Sequence, residues 1–151
     1  MNTLTNALVL LGFFAFMEGV AWFTHKYVMH GFLWIWHKSH HEPRKGVFEL
    51  NDLFGFMFAI PSVVLIVLGS DGFTWHFFAG LGIALYGLAY FLVHDVFVHQ
   101  RVKWLKTTNI SYFRAMRLTH HLHHAVHTKR GAEAFGFLLV LPKFYRRFHA
   151  K

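Results

Sequence analysis

His37-Lys38-Ser39-His40-His41 reads His-x-x-His-His, and the pattern returns as His120-His121-Leu122-His123-His124. Each copy follows a pair of histidines five apart: His25 and His30 before the first, His94 and His99 before the second. Ten of the fourteen histidines thus fall in four boxes arranged as two similar halves. Residues i, i+3 and i+4 share one helix face. His37, His40 and His41 are therefore expected to aim three imidazoles at one spot, as are His120, His123 and His124. A spacing of five puts two residues about 140° apart on a regular helix, so His25 with His30, and His94 with His99, must approach from a helix end or a kinked turn. Imidazole is the commonest metal-binding side chain, and a nitrogen set without thiolate suits Fe, Zn, Cu or Ni. Ten imidazoles exceed one ion, since zinc sites use about four ligands. Two ions with five histidines each and open positions fit better. Such a neutral set differs from the Glu-rich sites of soluble di-iron bundles, and spacing alone does not choose between iron and zinc.

What flanks the boxes is apolar. The 151 residues are 55% hydrophobic and 19% aromatic, nineteen of them phenylalanine, against roughly 45–50% apolar in soluble domains. The length fits a single domain over residues 1–151. The absence of cysteine excludes disulfides, Fe–S clusters and thiolate metal sites. The net charge of +8 lies in three tracts, 26–45, 101–130 and 143–151, with no Lys or Arg in 1–25 or 46–100. Basic residues gathered between apolar runs mark cytoplasmic loops and are drawn to anionic lipid headgroups. This pattern argues against nucleic acid, because spanning segments separate the tracts.

The first apolar run, about Leu4 to Phe23, leads into His25 and has the roughly 20 residues that span a bilayer. No Lys or Arg precedes it and no Ala-x-Ala site follows, so a retained span with its N-terminus outside is expected rather than a signal peptide. Glu18 within it is either a partner to a ligand histidine or a carboxyl at the interface or bonded to a neighbouring helix. Pro43 and Gly46 end any helix carrying His41. Arg44 and Lys45 read as headgroup contacts, and Trp34 and Trp36 as interfacial aromatics. A second run, Leu53 to Leu68, is short and interrupted by Pro61, which suggests a kink or local thinning of the bilayer. After the turn Ser70-Asp71-Gly72, a third run from about Phe73 to Val93 delivers His94 and His99 at its inner end. Gly80, Gly82 and Gly87 there favour close helix packing. Ala134 to Leu141 is too short to span and is expected to lie on the bilayer, or to form a re-entrant hairpin. The fold class is an all-α integral membrane protein with three, or four, transmembrane helices and a cytosolic, histidine-rich helical cap. All four boxes then lie on one side, at the membrane surface. Asp95 could orient His94. His121 and His127 interleave with the last box, and either could replace a member. His76 and His149 read as bland.

The runs His25-Lys-Tyr-Val-Met-His30-Gly, Trp36 to Asp52, His94-Asp-Val-Phe-Val-His99-Gln-Arg and His120-His-Leu-His123-His124-Ala-Val closely resemble the bacterial β-carotene hydroxylases of the membrane fatty-acid hydroxylase and sterol-desaturase superfamily. The resemblance covers nearly the whole chain. It implies a non-haem di-iron monooxygenase of the bacterial inner membrane that hydroxylates C3 and C3′ of β-ionone rings, giving zeaxanthin from β-carotene. The iron ligands it implies are His25, His30, His37, His40, His41, His94, His99, His120, His123 and His124, with zinc as a substitute ion in a structure. The chain has no Gly-x-Gly-x-x-Gly fingerprint and no cysteine for an Fe–S centre, so electrons must come from a partner of the ferredoxin type, which the basic inner face would attract. Two rivals remain. One is a fatty-acid or sterol hydroxylase or desaturase of the same superfamily. The other is a divalent-metal transporter, whose sites would sit near the bilayer midplane.

Overall fold

Three helical segments are long and apolar enough to cross a membrane: Thr3–Phe32, Leu50–Gly69 and Trp75–Val98, with 30, 20 and 24 residues. The computed structural model describes residues 2–43, 46, 48–104 and 106–149, without the side chains of 147–149. Arg44 and Lys45, expected as headgroup contacts, lie outside the described residues, and so does the side chain of His149. Every regular element among the described residues is helical.

Helix α1 (Thr3–Phe23) starts at Asn2, whose side chain accepts the Thr5 backbone N–H at 2.8 Å. It runs straight into a π-helical segment, Thr24–Phe32. Helix α2 (Trp34–His41) follows after a kink at Gly31. A 3-10 turn, Leu50–Asp52, leads into α3 (Leu53–Gly69), which continues unbroken past Pro61. With that turn the second span reaches full length, so the expected thinning is not needed. Helix α4 (Trp75–Tyr90) also ends in a π-helical segment, Phe91–Val98. Helices α5 (Ser111–His124) and α6 (Pro142–His149) complete the described chain.

The outer faces stay apolar. Leu4, Leu8 and Leu11 on α1 and Ile60, Val63 and Val67 on α3 are all exposed, at helical spacing that a lipid environment would cover. The interhelical seams are small and tight. A Cβ on Gly80 would stand 2.6 Å from the Ser62 carbonyl oxygen of α3, and Ser62 Oγ donates to the Gly80 carbonyl at 2.8 Å. A Cβ on Gly82 would likewise strike α1, whereas one on Gly87 meets nothing, so that glycine does not serve packing. Met17, Ala21, Tyr86 and Phe137 form the buried apolar cluster between α1, α4 and the C-terminal chain. This arrangement gathers the π-helical ends of the first and third spans, the start of the second, α2 and α5 at one end of the molecule.

Candidate metal centre

The two π-helical segments explain the spacing of five. A π-helix bonds residue i to i+5, so residues five apart fall about one turn from each other instead of on opposite flanks. The His99 backbone N–H donates to the His94 carbonyl at 2.9 Å, and Leu33 N–H to Val28 at 3.0 Å. The ring centroids of His25 and His30 are 5.3 Å apart, and those of His94 and His99 are 4.5 Å apart.

The histidines form two neighbouring groups. His25, His30, His37, His41 and His123 make one, all buried; His40, His94, His99 and His120 make the other. This corrects the expectation that each His-x-x-His-His run aims at one spot. On α2, His40 and His41 lie about 100° apart around the axis with His37 between them. His37 and His41 therefore face the first group and His40 the second. On α5, likewise, His120 faces the second group and His123 crosses to the first. His124 belongs to neither set of converging nitrogens. Its ring stacks on His41 at 4.4 Å and lies 4.7 Å from His40 and His99 and 4.6 Å from His120. Its Nε2 is buried with no hydrogen-bond partner.

The outward-facing nitrogens fix the tautomers. Nδ1–H of His25 donates to the Phe135 carbonyl at 3.0 Å, His30 to Lys129 at 3.1 Å, His41 to Val126 at 2.9 Å and His123 to Glu133 at 2.8 Å. A carbonyl only accepts, so each of these rings presents a bare Nε2 lone pair inward. His37 Nδ1 donates to Asn51 Oδ1 at 2.7 Å, His40 to Glu49 Oε2 at 3.1 Å and His94 to Asp95 Oδ1 at 3.1 Å. The inward Nε2 atoms then stand 3.1 Å apart for His25 and His37, and 3.2 Å apart for His41 and His37, for His30 and His123, and for His40 and His94. The His99–His120 pair is at 2.8 Å. In the pairs whose Nδ1 partners leave both Nε2 atoms bare, facing lone pairs at that distance repel unless a cation lies among them. Imidazole nitrogens at about 2.1 Å from one ion would be about 3.0–3.4 Å apart as neighbours. The chemistry and spacing of the donors fit metal at both groups, and the orphaned His124 Nε2 offers a further donor beside the second.

Burial keeps these imidazoles neutral. It is the largest cause pushing His37 down to about 2, His123 to about 3 and His41 to about 4, from an ordinary 6.5. His40, His120 and His124 lie far below that value, first through burial and then through neighbouring imidazoles. Stripped of metal, the protein is expected to lose stability as pH falls through 6.5, because the unfolded chain then takes up protons that the folded groups refuse. The thermal midpoint of chelator-treated protein in detergent should be lower at about pH 5.5 than at about pH 7.5. A flat or rising midpoint in acid contradicts the argument.

Several residues that hold the centre were not foreseen. Glu49, Asn51 and Asp52 stand just before α3, and Asp52 takes the Arg101 guanidinium at 2.7 and 2.9 Å. Arg101 also reaches Asp95 at 3.5 Å. Three polar residues together just before a greasy helix were the available signal. Trp34, expected at an interface, packs 5.0 Å from His30 and 5.3 Å from His41. Asp95 does orient His94, as expected. His121 is exposed, and His127 donates to the His41 carbonyl at 2.7 Å; neither joins a group. His76 lies half-buried at the far end of α4, beside Thr74. Residues 134–141 are too short to span, as expected. They run without helix over the histidines, with Phe137 stacked on His25 at 4.9 Å and Phe135 edge-on to His25, His30 and His123. Glu18 touches none of the histidines. It binds this strap instead, at the N–H groups of residues 137–139.

Two cavities reach the second group. An apolar groove of about 390 Å³ between α1, the end of the third span, α5 and the strap is lined by Trp22, Val93, Met116 and Leu139, and by His94 and His120. A polar cavity of about 310 Å³ is lined by His40, His99, Arg101, His120 and His124.

Residues 10–149 match the family described as Fatty acid hydroxylase. The chain is 47% identical over 135 residues to a beta-carotene hydroxylase of Pseudescherichia vulneris, covering 89% of this chain and 77% of that protein. It is 47% identical over 137 residues to a beta-carotene hydroxylase of Pantoea ananas, covering 91% and 78%. A beta-carotene hydroxylase of Paracoccus sp. (strain PC1) is 38% identical over 140 residues, covering 92% and 86%. No solved structure matches significantly.

Proposed function

Because the chain belongs to the fatty acid hydroxylase family, we propose that it is a β-carotene 3-hydroxylase acting as one domain over residues 1–151. It takes β-carotene through β-cryptoxanthin to zeaxanthin. The observation that carries this reading is the pair of buried histidine groups meeting an apolar groove on one side and a polar cavity on the other. The ten box histidines would hold two non-haem iron ions, His124 with its free Nε2 completing the second set. When bound, the iron pair supplies the activation of O₂. In balance, each ring C–H, one O₂, two electrons and two protons give C–OH and water.

The chain's own residues bind, orient and exclude. The groove accepts the ring end of a lipophilic substrate, and Trp22, Met116 and Leu139 keep water from it. Phe135 and Phe137 seal the first group from the groove side, so the histidines work in a dry, low-dielectric pocket. Glu49, Asn51, Asp95 and the four carbonyls lock ring orientation, which raises the basicity of each Nε2. Electrons arrive from an acidic ferredoxin-type partner at the polar cavity, where Arg101 lies at the rim. The basic tracts support a cytoplasmic position for that face, with the helices in the bacterial inner membrane. Histidines at span ends, not at mid-span, speak against a transporter.

Expression in cells that accumulate β-carotene, read by pigment chromatography, should yield zeaxanthin. Unchanged β-carotene beside folded, iron-loaded protein would overturn the reading, and a hydroxylated fatty acid or sterol in its place would identify the sister activity.

A further inference from the structure

Among the described residues, Glu18 is the one Asp, Glu, Lys or Arg that lines the apolar groove. It sits on α1 with both carboxylate oxygens engaged. Oε1 accepts the backbone N–H groups of Phe137 at 3.1 Å, Leu138 at 3.1 Å and Leu139 at 3.0 Å. Oε2 accepts Leu138 N–H at 3.2 Å and the Tyr86 hydroxyl at 2.7 Å. Three successive N–H groups closing on one carboxylate form a concave anion nest, here built with the anion supplied by the protein itself.

The strap needs that partner. It is neither helix nor strand, and an unsatisfied N–H beside an apolar groove is costly. Its carbonyl side is tied as well. The carbonyls of Glu133 and Phe135 hold His123 and His25, and the Leu138 carbonyl accepts from Tyr112 Oη at 2.7 Å. The strap is therefore suspended between histidines on its carbonyl side and Glu18 on its N–H side. Between those ties stands Phe137, 6% exposed. Its ring stacks on His25 at 4.9 Å, meets Tyr90 at 4.6 Å and lies 5.5 Å from His94. Gly136 keeps the approach open, since a Cβ there would come 3.0 Å from the Leu139 carbonyl oxygen and 3.5 Å from Glu18 Oε1.

We infer that Glu18 is a positioning residue that latches the strap and so sets where Phe137 and the groove wall hold the substrate ring against the metal centre. The role in substrate placement rests on the hydroxylase reading above. The latch itself does not. Loosening it shifts the wall more than the histidines, because His30, His37 and His41 are held from outside the strap, by the Lys129 carbonyl, Asn51 Oδ1 and the Val126 carbonyl. The consequence is a ring bound less tightly and in more than one register, with oxidation spreading from C3 to its neighbours.

The test uses full-length protein in nanodiscs, comparing wild type with Glu18→Gln, Glu18→Asp and Tyr86→Phe. Glu18→Gln replaces an acceptor oxygen with a donor that faces N–H groups. It should speed amide hydrogen exchange in residues 136–140 by about tenfold or more, the size expected for lost hydrogen bonds to a charged group. Metal content should stay at the wild-type level. KM for β-carotene should rise by about tenfold with a smaller change in kcat, and hydroxylation away from C3 should appear in the product. Glu18→Asp should recover part of each effect, and Tyr86→Phe should show a weaker version. Unchanged exchange in the strap overturns the latch. Metal lost in step with kcat, at unchanged KM, overturns the positioning role. Should wild type yield no hydroxylated carotenoid, the function fails and substrate placement with it, while exchange and metal content still decide whether Glu18 latches the strap.

Discussion

His123→Ala and His40→Ala should each lower hydroxylase turnover by more than about 100-fold, since loss of a mere hydrogen-bond partner to a metal ligand costs about 10–100-fold. The two substitutions fall in different histidine groups and would act on different ions. His123 comes from the last box yet stands among His25, His30, His37 and His41, its Nε2 3.2 Å from that of His30. His40 comes from the second box yet stands with His94, His99 and His120, 3.2 Å from His94. Each variant should retain about one ion per chain where wild type holds two, and the surviving ion should differ spectroscopically between them. His76→Ala, at the far end of α4, should leave both turnover and metal content unchanged. Comparable activity in all three proteins would break the ligand assignment, and identical residual metal spectra in the two variants would break the crossed pairing.

Arg101→Met is expected to weaken metal retention by about 10–100-fold. The guanidinium grips Asp52 through two hydrogen bonds, at 2.7 and 2.9 Å, and reaches Asp95 at 3.5 Å. Asp95 orients His94, while Asp52 accepts the Glu49 backbone N–H at 3.0 Å and Glu49 in turn orients His40. Arg101 thus ties the entry of the second span to the end of the third, directly behind two nitrogens of one group. Without its charge, two half-buried carboxylates lose the cation they share, a loss that is costly in a low-dielectric setting. Arg101→Lys should recover little, because an ammonium cannot reproduce the two-pronged grip. Chelator titration of loaded protein, followed by the iron remaining, reads the effect. Wild-type retention in Arg101→Met would remove Arg101 from the support of the centre.

Much of this molecule is written in one dimension. The three spans follow from apolar length. The common side of the boxes follows from where Lys and Arg occur and where they do not. The residue type of the donors follows from the repeated His-x-x-His-His run. Even the spacing of five carried its message, since no regular helix can bring His25 to His30, and a π-turn at the span end is how the chain does it. The family matched at residues 10–149 agrees with the resemblance those runs carry.

What periodicity reports is the phase of a side chain around its own helix, and it says nothing about which neighbour that face will meet. His40 and His41 differ by one residue and about 100° of rotation, so the packing of α2 between two span ends sends them to different groups. The capture of the strap by Glu18 and the bridge from Arg101 to Asp52 join residues 49 to 121 positions apart, and the sorting sets His40 against His94 and His30 against His123, 54 and 93 apart. The chain alone determined that imidazoles would gather at the ends of greasy helices. Only the packing of those helices decided which imidazoles face each other, because that depends on contacts between segments whose order in the chain does not encode their distance in space.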